Sequence, residues 1–408
     1  MFDKTSIKIM LLDDEPFMLK LLARQLEHLG FATPMAHTGG YAALGTMTTP
    51  CEMPDLILLD LNMPEMDGIE FVRQLAQRHY PGSLILISGE DERMLQSAST
   101  LVRAHKIGLL GHLHKPVANE ELTALLATWT APRVTQARGV KTVYDAETLR
   151  RAIAQGELVN YYQPKVCVAD GRVVGVETLV RWRHPVDGIV FPDQFIALAE
   201  ANDLIDDLTR AVLCQAMAQA RLWCDAGLNL RVAVNLSMDN LAKLEFADYV
   251  AQQAALAGVA PSSIVLEVTE SRLMADVRAP LDILTRLRLK RFRLSIDDFG
   301  TGNSSLTQLR DIPFDELKID QGFVHGAASD ETRRGIFNGS LHLARQLGME
   351  VVAEGVEDQT DWDFLRLSDC DLAQGYFIAR PMPAAELGGW MSRWESERRV
   401  AMTGGVSA

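Results

Sequence analysis

Short, nearly continuous apolar runs punctuate the N-terminal third of this chain. Each closes on a polar residue, and few folds accept that pattern. Ile7 to Leu12 runs into Asp13 and Asp14, Leu56 to Leu59 into Asp60, Leu84 to Ile87 into Ser88, and Gly108 to His114 into Lys115. Amphipathic stretches such as Phe17 to Leu29 and Gly68 to His79 lie between them. Apolar strands alternating with helices build a parallel sheet covered on both faces. Ligands of such sheets sit beyond the carboxyl ends of the strands, so these polar endings are expected to converge. Three carboxylates at one edge repel each other unless a cation neutralises them, and an all-oxygen set suits Mg²⁺. A carboxylate beside Mg²⁺, with a hydroxyl and an ammonium nearby, can accept a phosphoryl group. The metal and Lys115 would balance its charge, and Ser88 would report its arrival.

Asp13-Asp14-Glu15-Pro16, the run Asp60-Leu61-Asn62-Met63-Pro64-Glu65-Met66-Asp67-Gly68, and Lys115-Pro116 resemble the receiver domain of two-component response regulators over residues 5–128. The resemblance implies that Asp60 is the phosphoacceptor and that Asp13 and Asp14 help it to hold one Mg²⁺ or Mn²⁺. It implies further that Ser88 is the switch hydroxyl, that Lys115 contacts the phosphoryl oxygens across a cis Lys115–Pro116 bond, and that a cognate histidine kinase is a partner. His112 stands where receivers usually carry Tyr or Phe, as a polar switch residue whose charge varies with pH.

Trp129 to Tyr144 breaks the periodicity. It holds Pro132, Gly139 and a locally basic set, Arg133, Arg138 and Lys141, and reads as a solvated linker. The expected organisation is a receiver at 1–128, a linker at 129–145, a second domain at 146–400, and a frayed tail at 401–408.

In the second domain, Tyr161 to Val166 is a strand candidate followed by the turn signal Ala169-Asp170-Gly171, and Val173 to Trp182 returns from it. Further strands are expected at Arg231–Leu236, Ser263–Val268, Arg293–Ile296, Glu316–Ile319, Glu350–Ala353 and Leu372–Tyr376. About eight strands over roughly 250 residues is the rhythm of a TIM-type barrel, here with one strand reversed by the opening hairpin. The fold class expected is therefore α/β throughout: a doubly wound (βα)5 domain, then a modified (βα)8 barrel.

At the carboxyl ends of those strands stand Glu177, Asn235, Glu267, Asp297 with Asp298, Lys318 with Asp320, Glu354 with Glu357, and Gln374. In a barrel these positions face the catalytic mouth. Acid after acid around one rim calls for divalent cations. All-oxygen donors, with the histidines placed elsewhere in the sequence, favour Mg²⁺ or Mn²⁺ over zinc or copper. Two such ions about 3.5–4 Å apart, bridged by Asp297, suit in-line hydrolysis of a phosphodiester. Lys318 is placed to orient or deprotonate the water.

Glu177-Thr178-Leu179-Val180-Arg181-Trp182, Asn235-Leu236-Ser237, Glu267-Val268-Thr269-Glu270, Asp297-Asp298-Phe299-Gly300-Thr301-Gly302, Lys318-Ile319-Asp320, Glu354-Gly355-Val356-Glu357 and Gln374-Gly375-Tyr376 resemble the EAL family of cyclic di-GMP phosphodiesterases, over residues 146–395. The resemblance implies hydrolysis of cyclic di-GMP to linear pGpG, controlled through the receiver. By it, Glu177, Asn235, Glu267 and Asp297 bind a first metal. Asp297 and Asp298 bind a second, with Glu354 and Asp320 in that region. Glu177, Lys318 and Glu354 carry the catalysis. Gln163, Leu179, Arg181, Asp298, Glu357 and Gln374 contact or support the substrate, and Glu270 anchors the loop after Asp298.

Two positions depart from the family pattern. Thr178 replaces the usual Ala, and on a strand it points away from the face of Glu177 and Leu179, so a packing change without loss of metal is expected. Asn303 stands where many relatives have Tyr, which bears on regulation more than on chemistry.

Composition limits the alternatives. The chain has 408 residues, 48% of them hydrophobic and 23% charged, with a formal net charge of -14. Such acidity disfavours duplex DNA, and no apolar run approaches the ~20 residues that span a bilayer. Asp3, Lys4 and Lys8 lie too close together for a signal peptide, and the five scattered cysteines read as reduced thiols of a cytoplasmic protein. The family tends to form homo-oligomers. The alternatives to an enzyme are a catalytically silent cyclic di-GMP receptor relaying receiver state to a protein partner, and a phosphate sink or kinase-binding adaptor.

Overall fold

The computed structural model describes residues 4–47, 49, 52–78, 80–89, 92–105, 107–129, 144–269, 278–300 and 306–404. Two compact units divide the chain, Met1–Thr142 and Val143–Ala408. Glu270, Gly302, Asn303 and most of the expected linker lie outside the described residues.

The first unit is a five-stranded parallel sheet. Its strands are β1 (Ile9–Leu12), β2 (Met35–His37), β3 (Leu56–Asp60), β4 (Ser83–Ser88) and β5 (Gly108–His114), in the order β2-β1-β3-β4-β5. Successive side chains of a strand point to opposite faces, so each apolar run feeds two cores. Met10, Leu12, Ile57, Leu59, Leu84 and Leu86 pack with Phe71, Val72 and Leu75 of the helix Gly68–Gln77. Ile9, Leu11, Leu56, Leu58, Ile85 and Ile87 pack with Leu19, Leu22 and Leu26 of the helix Pro16–His28. Each such buried side chain contributes about 1.5–3 kcal/mol. Asp67 starts the Gly68–Gln77 helix by accepting from the backbone N–H of Glu70.

In the second unit the strands are β6 (Leu158–Cys167), β7 (Val173–His184), β8 (Gly188–Val190), β9 (Arg231–Leu236), β10 (Ile264–Thr269), β11 (Arg293–Phe299), β12 (Glu316–Ile319), β13 (Glu350–Ala353), β14 (Leu372–Ala373) and β15 (Met382–Pro383). Eight of them close a ring, β6-β7-β9-β10-β11-β12-β13-β14 and back to β6. β6 runs antiparallel to both of its ring neighbours, and the other ring pairs are parallel. β8 and β15 pair outside the ring, with β7 and β6. The last ring strand is shorter than the expected Leu372–Tyr376. It stops at Ala373 because Gly375 presses against the backbone of Val356, where even a Cβ would come within 2.2 Å of the Val356 carbonyl oxygen.

Outward-facing Val232, Val234, Leu266, Val268, Leu294, Ile296, Leu317 and Val351 form the layer between ring and helices. The lumen is different. Lys165, Glu267, Ser295, Glu316 and Lys318 are buried, in a position where barrels of this type usually pack branched aliphatic side chains.

Candidate active site

The endings of the first sheet do converge. Asp13 follows β1, Asp60 ends β3, and both carboxylates are almost completely buried. Lys115, just beyond β5, places its Nζ 2.9 Å from Asp13 Oδ2 and 2.8 Å from Asp60 Oδ2. Asp13, Asp14 and Asp60 each offer an oxygen within 4.8 Å of the others. Burial pushes the Asp60 carboxyl up, and the hydrogen bond from Lys115 opposes that shift. Burial likewise weighs against the Lys115 ammonium, but its bonds to Asp60 and Asp13 prevail and raise it. Ser88 ends β4 and is buried, and its carbonyl accepts from the Lys115 N–H at 2.9 Å. The Lys115–Pro116 peptide is cis. His112 lies farther back on β5, paired with Leu86, its ring edge-on to His114 with centroids 6.2 Å apart.

The barrel gathers a larger set. Lys318, the buried centre of β12, places its Nζ 2.8 Å from Glu354 Oε1 and 2.9 Å from Asp297 Oδ1. The same nitrogen lies 3.3 Å from Glu267 Oε2 and 3.6 Å from Glu177 Oε2. Below it, Lys165 bonds Glu267 Oε1 at 2.7 Å and Glu316 Oε1 at 2.9 Å, and Ser295 donates to the same Glu316 oxygen. Burial opposes the charge on Lys318, but Asp297, Glu177, Glu267 and Glu354 outweigh it and hold its pKa well above the ordinary lysine range. Two glutamates move the other way: burial raises Glu267 to about 7 and Glu354 to about 8. Glu177 is held low, because Lys318 and Lys165 overcome the effect of its burial.

Asp297 and Asp298 are consecutive, yet both reach this centre. On a regular strand they would face opposite sides. The ladder between β11 and β12 slips between Ile296 and Phe299, and Asp298 takes a left-handed φ of +57°. Asp is among the few side chains that accept that region at modest strain. Burial and the Asp297 charge together push Asp298 up to about 6. The result is two overlapping oxygen triads, Glu177–Glu267–Asp297 and Asp297–Asp298–Glu354, each within 4.8 Å. Both contain Asp297.

A count of charge tests whether divalent ions fit. Among the described residues, Glu177, Glu267, Asp297, Asp298, Glu354 and Glu316 gather round Lys165 and Lys318, while Arg231, which also acts on Glu316, is paired with Glu350, and Arg181 acts on Glu177 from farther off. Full ionisation would leave an excess of four negative charges, the amount two divalent ions neutralise. The donors are hard oxygens suited to Mg²⁺ or Mn²⁺. The residues fit such ions.

Above the triads lies a cleft of about 270 Å³, lined among others by Gln163, Leu179, Asp320, Glu357, Gln374 and Tyr376. Gln374 Nε2 bridges Gln163 Oε1 at 3.1 Å and Glu177 Oε2 at 2.6 Å, and Asn235 Nδ2 donates to Glu177 Oε1 at 3.0 Å. Arg181 is held between aromatic rings, its guanidinium 4.9 Å from the Phe191 centroid and 5.6 Å from that of Tyr161. Asp320 accepts from the Gly322 N–H and caps the short helix Gln321–Val324, and it joins neither triad. Gly355 separates Glu354 from Glu357 with φ +67°, and a Cβ there would meet the Cβ of Gln321 at 2.2 Å. Thr178 faces away from the lumen, 3% exposed, and its Oγ1 finds no hydrogen-bond partner among the described residues.

Reading strand ends alone missed Lys165 and Glu316. Both sit deeper in the lumen, and the period-two alternation from Gln163 to Lys165 and from Lys318 back to Glu316 was the signal. His325, at the end of the helix Gln321–Val324 and on no strand, lies 3.9 Å from Glu357 Oε2 beside the cleft.

Comparison with known proteins agrees with this arrangement. Residues 146–381 match the EAL domain family, and residues 9–127 match the response regulator receiver domain. The chain is 32% identical over 384 residues to the cyclic di-GMP phosphodiesterase RocR of Pseudomonas aeruginosa, covering 92% of this chain and 96% of that one. It is 43% identical over 240 residues to the bifunctional diguanylate cyclase/cyclic di-GMP phosphodiesterase MucR of the same organism, a match covering 59% of this chain and 35% of that longer protein. Among solved structures, the PaMucR phosphodiesterase in complex with c-di-GMP superposes with a TM-score of 0.57 at 42% identity, covering 59% of this chain and 98% of that one. A barrel mouth carrying two acid triads that share Asp297, in a sequence matching these relatives, places the chain in the EAL domain family, with a response regulator receiver domain at its N-terminal side.

Proposed function

We propose that the chain is a cyclic di-GMP phosphodiesterase that opens one 3′,5′-phosphodiester bond to give linear pGpG, and that phosphorylation of Asp60 regulates it. The observation that carries this reading is the convergence of four carboxylates on Lys318 Nζ within 3.6 Å, at the mouth of the barrel. The RocR and MucR relatives, described as acting on cyclic di-GMP, support the choice of substrate.

Glu177, Asn235, Glu267 and Asp297 would hold one divalent ion, and Asp297, Asp298 and Glu354 a second, with Asp320 supporting from the rim. Bound there, such ions supply Lewis-acid activation of water and neutralisation of the phosphodiester. The chain's own groups do the rest. Lys318 stays protonated among its carboxylates, so it orients the attacking water and offsets developing negative charge and does not serve as a base. Glu354, whose Oε1 lies 2.8 Å from Lys318 Nζ, would once ionised be a carboxylate of this centre able to take the proton of that water. As the water oxygen bonds to phosphorus, the P–O3′ bond breaks and the 3′ oxygen takes up a proton. Gln163, Leu179, Arg181, Glu357 and Gln374 line or border the cleft that would hold the dinucleotide. The fixed plane of Arg181 suits guanine edges or phosphate.

In the receiver, Asp13, Asp14 and Asp60 would hold one Mg²⁺ or Mn²⁺, with Lys115 and Ser88 answering the phosphoryl group and His112 as the switch residue. A cognate histidine kinase as donor, a homo-oligomeric state and a cytoplasmic location belong to the same reading. Among the described residues no helix is long and apolar enough to cross a membrane.

Incubation with cyclic di-GMP and Mg²⁺ or Mn²⁺ followed by chromatography tests the reading. The linear dinucleotide is expected. Binding without turnover would replace the enzyme by a receptor.

A further inference from the structure

Asp361 is a buried carboxylate, 2% exposed, in the helix Gln359–Leu367 that follows β13. It accepts three hydrogen bonds: from His325 Nδ1 at 2.9 Å, from the Gly326 N–H at 3.0 Å, and from the Glu357 N–H at 3.0 Å. One side chain thereby ties the segment after β12, which carries Asp320 and follows Lys318, to the loop after β13, which carries Glu354 and Glu357. The bond to Nδ1 fixes the imidazole plane and turns Nε2 toward Glu357, 3.9 Å from its Oε2. That separation is too long for a hydrogen bond and short enough for a charge to be felt. Asp361, Glu357 and Asp358 are the charged groups facing the ring, and Arg333 donates to the backbone carbonyl of His325. The bond to Asp361 chiefly, and the nearby acids with it, raise the His325 pKa.

Resting on the reading in which Glu357 meets the substrate, we propose that His325 is a positioning residue. Held by Asp361, its imidazolium keeps the Glu357 carboxylate at the rim of the cleft in an orientation that accepts hydrogen bonds from a guanine base. A carboxylate only accepts, which complements the adjacent N1–H and N2–H donors of guanine. With Nδ1 keeping its proton and donating it to Asp361, deprotonation removes the Nε2 proton, leaves a lone pair facing Glu357, and releases the carboxylate. Glu357 and His325 are both about half exposed, so the effect is on binding and is modest.

The test compares the full-length wild type with His325→Gln and His325→Lys, from about pH 6 to about pH 9 across the histidine range. KM and kcat come from hydrolysis with Mn²⁺, and Kd from equilibrium binding of cyclic di-GMP in EDTA. Glu267 and Glu354 change charge with pH in all three proteins, so KM and Kd are compared at each pH as ratios to H325K. The wild-type ratio is expected to rise from about one to roughly two- to fivefold with pH, while kcat at a given pH stays within about twofold of the variants. H325Q shows the high ratio at every pH. Equal KM and Kd for wild type and H325Q at pH 6 would overturn the proposal, as would a wild-type ratio that does not change with pH. A wild type that binds the dinucleotide without cutting it refutes the phosphodiesterase reading and leaves the Kd comparison to decide the role of His325. Failure to bind at all refutes both.

Discussion

The two acidic clusters follow one plan, with carboxylates gathered round a lysine beyond parallel strands, yet they differ in depth and in charge. In the first unit three carboxylates face Lys115, whose side chain is 18% exposed, and the excess is two negative charges. In the barrel six carboxylates face two lysines no more than 4% exposed, and the excess is four. One divalent ion balances the former and two balance the latter. In the first cluster the lysine is the part that solvent reaches, while Asp60 beneath it is 2% exposed. The deep one keeps its charges in a low-dielectric lumen, where each interaction with a reacting phosphate is stronger.

That contrast is exposed first by removing each lysine. Lys318→Ala is expected to lower turnover by roughly 10²–10³-fold, the range for loss of a group that stabilises developing charge. In EDTA it should also destabilise the barrel by about 3–5 kcal/mol, since it leaves buried carboxylates without their partner. Lys115→Ala should cost the first unit less, roughly 1–3 kcal/mol. Thermal melts of the two variants check the order, and a larger loss from Lys115→Ala would break the comparison.

The pH response comes next. Glu267 and Glu354 titrate near 7 and 8 in the folded barrel, against 4.5 for an ordinary glutamate. The native barrel therefore binds more protons than the unfolded chain between these limits, and metal-free stability falls as pH rises through the window from about 4.5 to about 8. Adding Mn²⁺ should reverse the loss and release protons at pH 7, measurable by calorimetry in buffers of different ionisation enthalpy. Uptake without proton release would contradict the shifted carboxyls.

Smaller changes sharpen the picture. Asp298→Asn keeps a side chain that tolerates left-handed backbone but removes a charge, and should weaken the second barrel metal by roughly tenfold or more. Asp60→Asn should abolish phosphoryl incorporation from acetyl phosphate, read as a mass shift, and leave Mn²⁺ binding in the barrel untouched. Thr178→Ala removes a buried hydroxyl that has no hydrogen-bond partner among the described residues and should stabilise the barrel by about 1 kcal/mol, with metal stoichiometry unchanged. A loss of metal there would mean that Thr178 does more than fill space.

The sequence revealed most where local chemistry and strand period agree. Continuous apolar runs ending in Asp13, Asp60 and Lys115 define both the sheet and the meeting point, because parallel strands must present their ends together. Glu177, Glu267, Asp297, Lys318 and Glu354 were legible for the same reason. The side on which Asp298 lies was not, since it depends on a ladder slip and a positive φ that no residue pattern announces. Neither was the clamp of His325 and Asp361, whose members are 36 residues apart and meet only through packing of the segments after β12 and β13. The short β14 escaped too, because Gly375 is set by the backbone of Val356, after the adjacent strand β13, and not by residues near it in sequence.

Counting Mn²⁺ per chain by equilibrium dialysis tests the charge argument most directly. Three ions at saturation are expected for the wild type, falling to one in Asp297→Asn, which removes the carboxylate charge shared by both barrel triads. A barrel that takes up no ion, or a single one that survives Asp297→Asn, would contradict the account.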